Sequence, residues 1–84
     1  MKSIIFAQGE NIERQYTECL EFAMFNGYET AETVDCMPKA IQRLAKWDIK
    51  QVLATTDCFV GYDNNDMEIV RGTLSRYGAK LVII

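Results

Sequence analysis

Two short runs, Ile4-Ile5-Phe6-Ala7 and Val52-Leu53-Ala54, carry no polar residue at either alternate position. That pattern suits a strand buried on both faces, the mark of a parallel sheet covered by helices. Between them the pattern changes period. From Asn11 to Phe25, Ile12, Tyr16, Cys19, Leu20 and Ala23 recur at helical spacing, and Asn26-Gly27 supplies a C-terminal stop. Tyr28 to Val34 alternates weakly, as an edge strand does. Pro38 fits the first turn of a second helix, with Ala40, Ile41, Leu44 and Trp47 as its apolar stripe. Asp63 or Asn64 suits the cap of a third helix, whose inner stripe is Met67, Val70, Leu74 and Tyr77 and whose end is Gly78. Leu81-Val82-Ile83-Ile84 closes the pattern as a last strand.

The predicted fold class is therefore α/β, with elements in the order β-α-β-α-β-α-β in one domain spanning residues 1–84. Right-handed crossovers restrict the topology. Placing the two most apolar runs at the centre and the polar second strand at an edge gives the parallel order 2-1-3-4. The first helix then covers one face, and the other two helices cover the second. The switch point falls between the carboxyl ends of strands 1 and 3, where ligands of open α/β sheets bind. Gln8-Gly9-Glu10 and Thr55-Thr56-Asp57 line that crevice, with Phe59 and Tyr62 in the following loop.

Charge narrows the function. The chain carries a net charge of −3, which argues against nucleic-acid binding by this domain alone. Residues 1–36 hold two cations against seven acids, and residues 37–84 hold seven against five. Lys39, Arg43, Lys46 and Lys50 form a modest basic face on the second helix, which reads first as a solvated surface. Cys19, Cys36 and Cys58 are far apart and form no CxxC pair, so a metal site has no support and none is expected. Unpaired thiols and the lack of a signal peptide point to the cytoplasm. No run has the roughly 20 apolar residues of a membrane span. The chain has no histidine, and Cys58 beside Asp57 lacks a base to activate it. Asp63, Asp66 and Glu68 lack a calcium-loop pattern and read as capping and helix-dipole partners.

Several stretches resemble the N-terminal catalytic domain of the serine recombinases, the resolvase and invertase family. Ile5-Phe6-Ala7-Gln8-Gly9-Glu10 is similar to that family's first strand, commonly Tyr-Ala-Arg-Val-Ser. Arg14-Gln15-Tyr16 to Gly27-Tyr28 resembles the helix and glycine turn that follow it. Val52 to Asp63 resembles the third strand and its Asp-Arg-Leu-Gly-Arg-Asp loop, and Ser75 to Leu81 the last helix, turn and strand. In the family a serine attacks a DNA phosphodiester while arginines stabilise the phosphate. Here the family's first-strand arginine falls on Gln8 and its nucleophilic serine on Glu10. The two loop arginines fall on Phe59 and Tyr62, and only Gly61 and Asp63 match that motif. A carboxylate at the nucleophile position repels phosphate, whereas phosphoryl transfer needs positive charge around it.

The resemblance thus implies a catalytically inactive domain, not an enzyme, with no catalytic residue and no cofactor. Its expected role is that of an interaction or regulatory module linked to DNA recombination. The apolar last strand invites pairing, so a homodimer or protein partner is expected through its edge and the third helix, at Val70, Leu74, Tyr77, Leu81 and Ile83. The alternative is a small-ligand or nucleotide binder using Gln8, Gly9, Glu10, Thr55, Thr56, Asp57, Phe59 and Tyr62. A residual acid–base pair of Glu10 and Asp57 is the least favoured reading.

Overall fold

A computed structural model describes residues 2–46 and 48–84 of the chain. The elements run β1 (Lys2–Phe6), α1 (Ile12–Phe25), β2 (Glu29–Val34), α2 (Met37–Lys46), β3 (Gln51–Ala54), α3 (Asn64–Arg76) and β4 (Lys80–Ile83), with a 3₁₀ turn at Thr56–Phe59. All strands are parallel, in the order β2-β1-β3-β4. Fold class and strand order therefore agree with the apolar pattern.

The core forms because β1 and β3 bury both faces. Ile4, Phe6, Val52 and Ala54 point to one side, where they meet Ala40 and Leu44 of α2 and Val70 and Leu74 of α3. Ile5 and Leu53 point to the other side and pack on Cys19 and Ala23 of α1. Each large buried aliphatic or aromatic side chain contributes about 1.5–3 kcal/mol of transfer free energy. Ser3 and Gln51 are paired across β1 and β3 and buried together, and the Gln51 amide donates to Ser3 Oγ at 3.2 Å.

Three details differ from the pattern. On α1 the inward stripe is Gln15, Cys19 and Ala23, whereas Ile12 and Tyr16 stay largely exposed. On α3 Tyr77 is exposed, because the helix has ended and the chain is turning there. Phe22, which is not among the helical-spacing positions of α1, packs half-buried against Tyr28. The expectation for Trp47 lies outside the described residues.

Helix ends obey local rules. Gly27 and Gly78 have φ of +71° and +77°, the left-handed conformation that closes a helix. The amide of the next residue reaches back in both cases, Tyr28 to the Ala23 carbonyl at 2.8 Å and Ala79 to Leu74 at 3.1 Å. At the start of α3, Asp63 accepts from the Asp66 amide at 2.8 Å while Asp66 accepts from the Asp63 amide at 3.1 Å. This reciprocal box explains these two carboxylates without a bound cation. Replacing Asp63 with Ala should cost about 1 kcal/mol and lower Tm by about 4–8 °C. An unchanged unfolding curve would show that the box contributes nothing.

Candidate functional site

The crevice begins where β1 ends. Ala7 still donates to the Val34 carbonyl at 2.9 Å, and the chain then leaves the sheet through Gln8, Gly9 and Glu10. Asn11 enters α1 with φ of +61°, a conformation asparagine tolerates, and its side chain caps nothing. The loop is held instead by Gln15, one turn into the helix and 1% exposed. Its amide nitrogen donates to the Gln8 carbonyl at 2.9 Å and the Glu10 carbonyl at 2.8 Å, and its oxygen accepts from the Gln8 amide at 3.2 Å. Both donors and the acceptor of a buried amide are thereby engaged.

Gln8 then spans the mouth. Its side-chain nitrogen donates to the Cys58 carbonyl at 2.8 Å and to the Tyr62 hydroxyl at 3.1 Å, tying the end of β1 to the loop after β3. Arg14, on the exposed side of α1, makes an ion pair with Asp57. The mouth is thus crossed by a neutral amide, and Arg14 already faces a carboxylate. Glu10 stays exposed at the rim.

A cavity of about 520 Å³ opens here, bordered by Gln8, Gly9, Glu10, Asp57 and Tyr62 together with Asn11, Cys58 and Val60. Five of the eight expected binding residues therefore meet at one cavity. The other three do not. Thr55 is buried beneath it, with no hydrogen bond to its Oγ1. Thr56 is exposed but lies off the cavity wall. Phe59 is 7% exposed and belongs to the core: its ring packs 5.9 Å from Phe6 and edge-on to Tyr62 at 5.3 Å. A loop phenylalanine turned inward because the 3₁₀ turn at Thr56–Phe59 rolls it beneath Tyr62.

A second cavity of similar size, about 520 Å³, adjoins the first across Gln8, Val60 and Tyr62 and runs between Met37 and Ile69. Val60 is 81% exposed and Ile69 67%. These apolar positions, with Gln15 and Arg14, were missed by reasoning from strand ends. Gln15 did carry a signal, since it lies four residues before Cys19 and eight before Ala23, in register with the buried stripe.

The expected partner-facing residues divide. Val70, Leu74 and Leu81 are buried within the protomer and are unavailable to a partner, because Val70 and Leu74 of α3 pack in one core cluster with Leu81 of β4. Tyr77 is exposed and Ile83 half-buried. The basic face of α2 is largely neutralised. Lys39 pairs with Asp35 and Arg43 with Glu32, while Lys50, expected on this helix, lies beyond its end at Lys46 and 3.1 Å from Asp48. The hydrogen bonds from Arg43 and Lys39 hold the Glu32 and Asp35 carboxyls below their ordinary range.

The buried thiols are poor nucleophiles. Burial pushes Cys58 up to about 12, and burial reinforced by the Glu18 charge pushes Cys19 up to about 11. Both stay protonated at neutral pH. Among the described residues no group of three or more acidic or cysteine side chains gathers as a metal site, and no helix is long and apolar enough to cross a membrane. No protein-family model matches the chain, and neither the curated proteins nor the solved structures give a match.

Gln15→Leu strands two carbonyls and one amide, and it should lower stability by about 2 kcal/mol in urea titration; a loss under about 0.5 kcal/mol would mean that water replaces the amide fully. For the thiols, the folded state keeps its protons above the ordinary value of 9.0, where the unfolded chain loses them. The unfolded state then binds fewer protons, so stability falls as pH rises from about 9 towards 11–12. A Cys19→Ala/Cys58→Ala variant should lose that part of the decline. Ellman's reagent at pH 8 should find half-buried Cys36 quickly and the other two only on unfolding; fast reaction of all three would contradict their burial.

Proposed function

We propose that this chain is a resolvase-like α/β domain without recombinase chemistry, and that it works as an interaction module that binds a protein partner, a second copy of itself included. The observation that supports this reading is the Gln8 amide across the mouth of the crevice, engaged with Cys58 and Tyr62. At that place the resemblance implies an arginine aimed at phosphate. Glu10 stands where it implies a serine, and Arg14 is paired with Asp57. Charge stabilisation of a phosphoryl group needs free donors and cations directed at it. This mouth offers engaged donors and an exposed carboxylate instead. The exposed apolar residues nearby, Val60 and Ile69, favour contact with a macromolecule. A cytoplasmic location and a role in controlling recombination belong to the same proposal.

A second reading has its own support. The cavity bordered by Gln8, Glu10, Asp57 and Tyr62 is large enough for a small neutral or cationic ligand. The Glu10 carboxylate at its rim disfavours nucleotides and other anions.

Two measurements test these readings. Incubated with supercoiled plasmid, the protein should give no nicked product and no protein–DNA species that survives denaturing electrophoresis. A covalent adduct would overturn the non-catalytic reading. In thermal-shift screens against nucleotides, inorganic anions and small cations, the interaction module predicts no stabilisation. A ligand present at 100 times its Kd would add about 2.7 kcal/mol and shift the assignment to the cavity.

A further inference from the structure

Helix α3 turns Val70 and Leu74 inward, which leaves a second face uncovered. Asn65, Glu68, Ile69, Gly72 and Arg76 lie along it at helical spacing, all exposed. A shallow groove of about 370 Å³ follows them.

Gly72 lies mid-helix with an ordinary helical backbone, and a Cβ built on it meets nothing within 4 Å. Neither crowding nor a left-handed turn within the protomer accounts for a glycine there. Glycine is the least favourable residue in a helix interior after proline. A side-chain-free position on an open helix face is what close approach of another helix backbone uses.

The charges beside Gly72 are arranged about it. Glu68 and Arg76 sit four residues to either side, on the same face and with opposite sign. Neither makes an ion pair among the described residues. Arg71, one turn from Glu68, is drawn away to the Leu81 carbonyl at 3.2 Å. That same contact covers the open edge of β4. Lys80 donates to the Lys50 carbonyl and Ile84 to that of Ala54, so the backbone groups of Leu81 and Ile83 point to the open edge, and Arg71 occupies one of their carbonyls. The edge is blunted while the helix face is open.

We propose that α3 is a self-association helix: two copies of this chain pack antiparallel across a two-fold axis at Gly72, and each Glu68 pairs with Arg76 of the second copy. The charge pattern is self-complementary in that arrangement alone, as an isologous interface requires. The crossing also covers exposed Ile69. This inference rests on the interaction-module reading and assigns its surface. One helix crossing buries less than the roughly 1,200–2,000 Å² of a standard stable interface, so the dimer is weak, with Kd of roughly 10 μM to 1 mM.

Sedimentation equilibrium of the full chain from 10 μM to 1 mM tests it. The wild type should show a monomer–dimer equilibrium that weakens with salt. Glu68→Arg and Arg76→Glu should each weaken it on the order of tenfold or more, since both pairs of the dimer become repulsive. Mixing these two variants should restore dimers, because one then carries arginine at both positions and the other glutamate at both, so each facing pair is again of opposite sign. Gly72→Leu should abolish the dimer while the monomer keeps its circular dichroism and unfolds no more easily. A wild type that stays monomeric at 1 mM, a dimer indifferent to these substitutions, or a mixture that fails to recover would each overturn the proposal. A covalent DNA adduct would instead remove the non-catalytic reading and leave these results standing.

Discussion

Ile4 and Ile5 point to opposite faces of the sheet, and neither reaches solvent; Val52 and Leu53 repeat the arrangement one strand away. A chain of 84 residues has little surface to spend on such strands, because a domain this small buries only about 60–65% of what its unfolded form exposes. Covering both faces of β1 and β3 therefore commits all three helices. α1 takes one face and α2 with α3 the other. The same constraint places the carboxyl ends of β1 and β3 side by side, and the loops leaving them form the crevice.

What fills that crevice follows from hydrogen-bond accounting. The turn from β1 into α1 leaves carbonyls at Gln8 and Glu10 that no regular element satisfies, and the buried Gln15 amide meets both. With its backbone held there, Gln8 has its side chain across the gap, where the Cys58 carbonyl and Tyr62 hydroxyl accept from it. The side-chain donors of Gln8, Gln15 and Arg14 are thus engaged within the chain, and the remaining formal charge at the rim is the Glu10 carboxylate. Local structure and electrostatics both support the proposal that the scaffold binds rather than reacts.

Elements dominated by burial were legible in the sequence. Continuous apolar runs gave β1 and β3, the weaker alternation of β2 gave an edge, and Gly27, Asp63 and Gly78 marked helix ends through backbone rules that act locally. Five of the eight residues bordering the crevice were legible for the same reason, since topology places strand ends. Side-chain direction was not. Phe59 turned into the core because a 3₁₀ turn, which has no strong apolar period, rotates the loop. Ile12 and Tyr16 yielded the inward position to Gln15, because satisfying loop carbonyls outweighed burying two more apolar surfaces. Val70 and Leu74 form the inner stripe of α3 and Leu81 packs in the same cluster, so one apolar stripe cannot serve both the protomer core and a partner.

The amides of Gln8 and Gln15 are locked to their neighbours, and that locking closes the mouth of the crevice. Side-chain amide hydrogen exchange by NMR reads this directly. Slow exchange is expected for the Gln15 side-chain protons, with nuclear Overhauser contacts from the Gln8 side-chain protons to the Tyr62 ring. Solvent-like exchange at Gln15 with no contact between Gln8 and Tyr62 would contradict the locking, and would leave the mouth of the crevice open to a ligand's own hydrogen bonds.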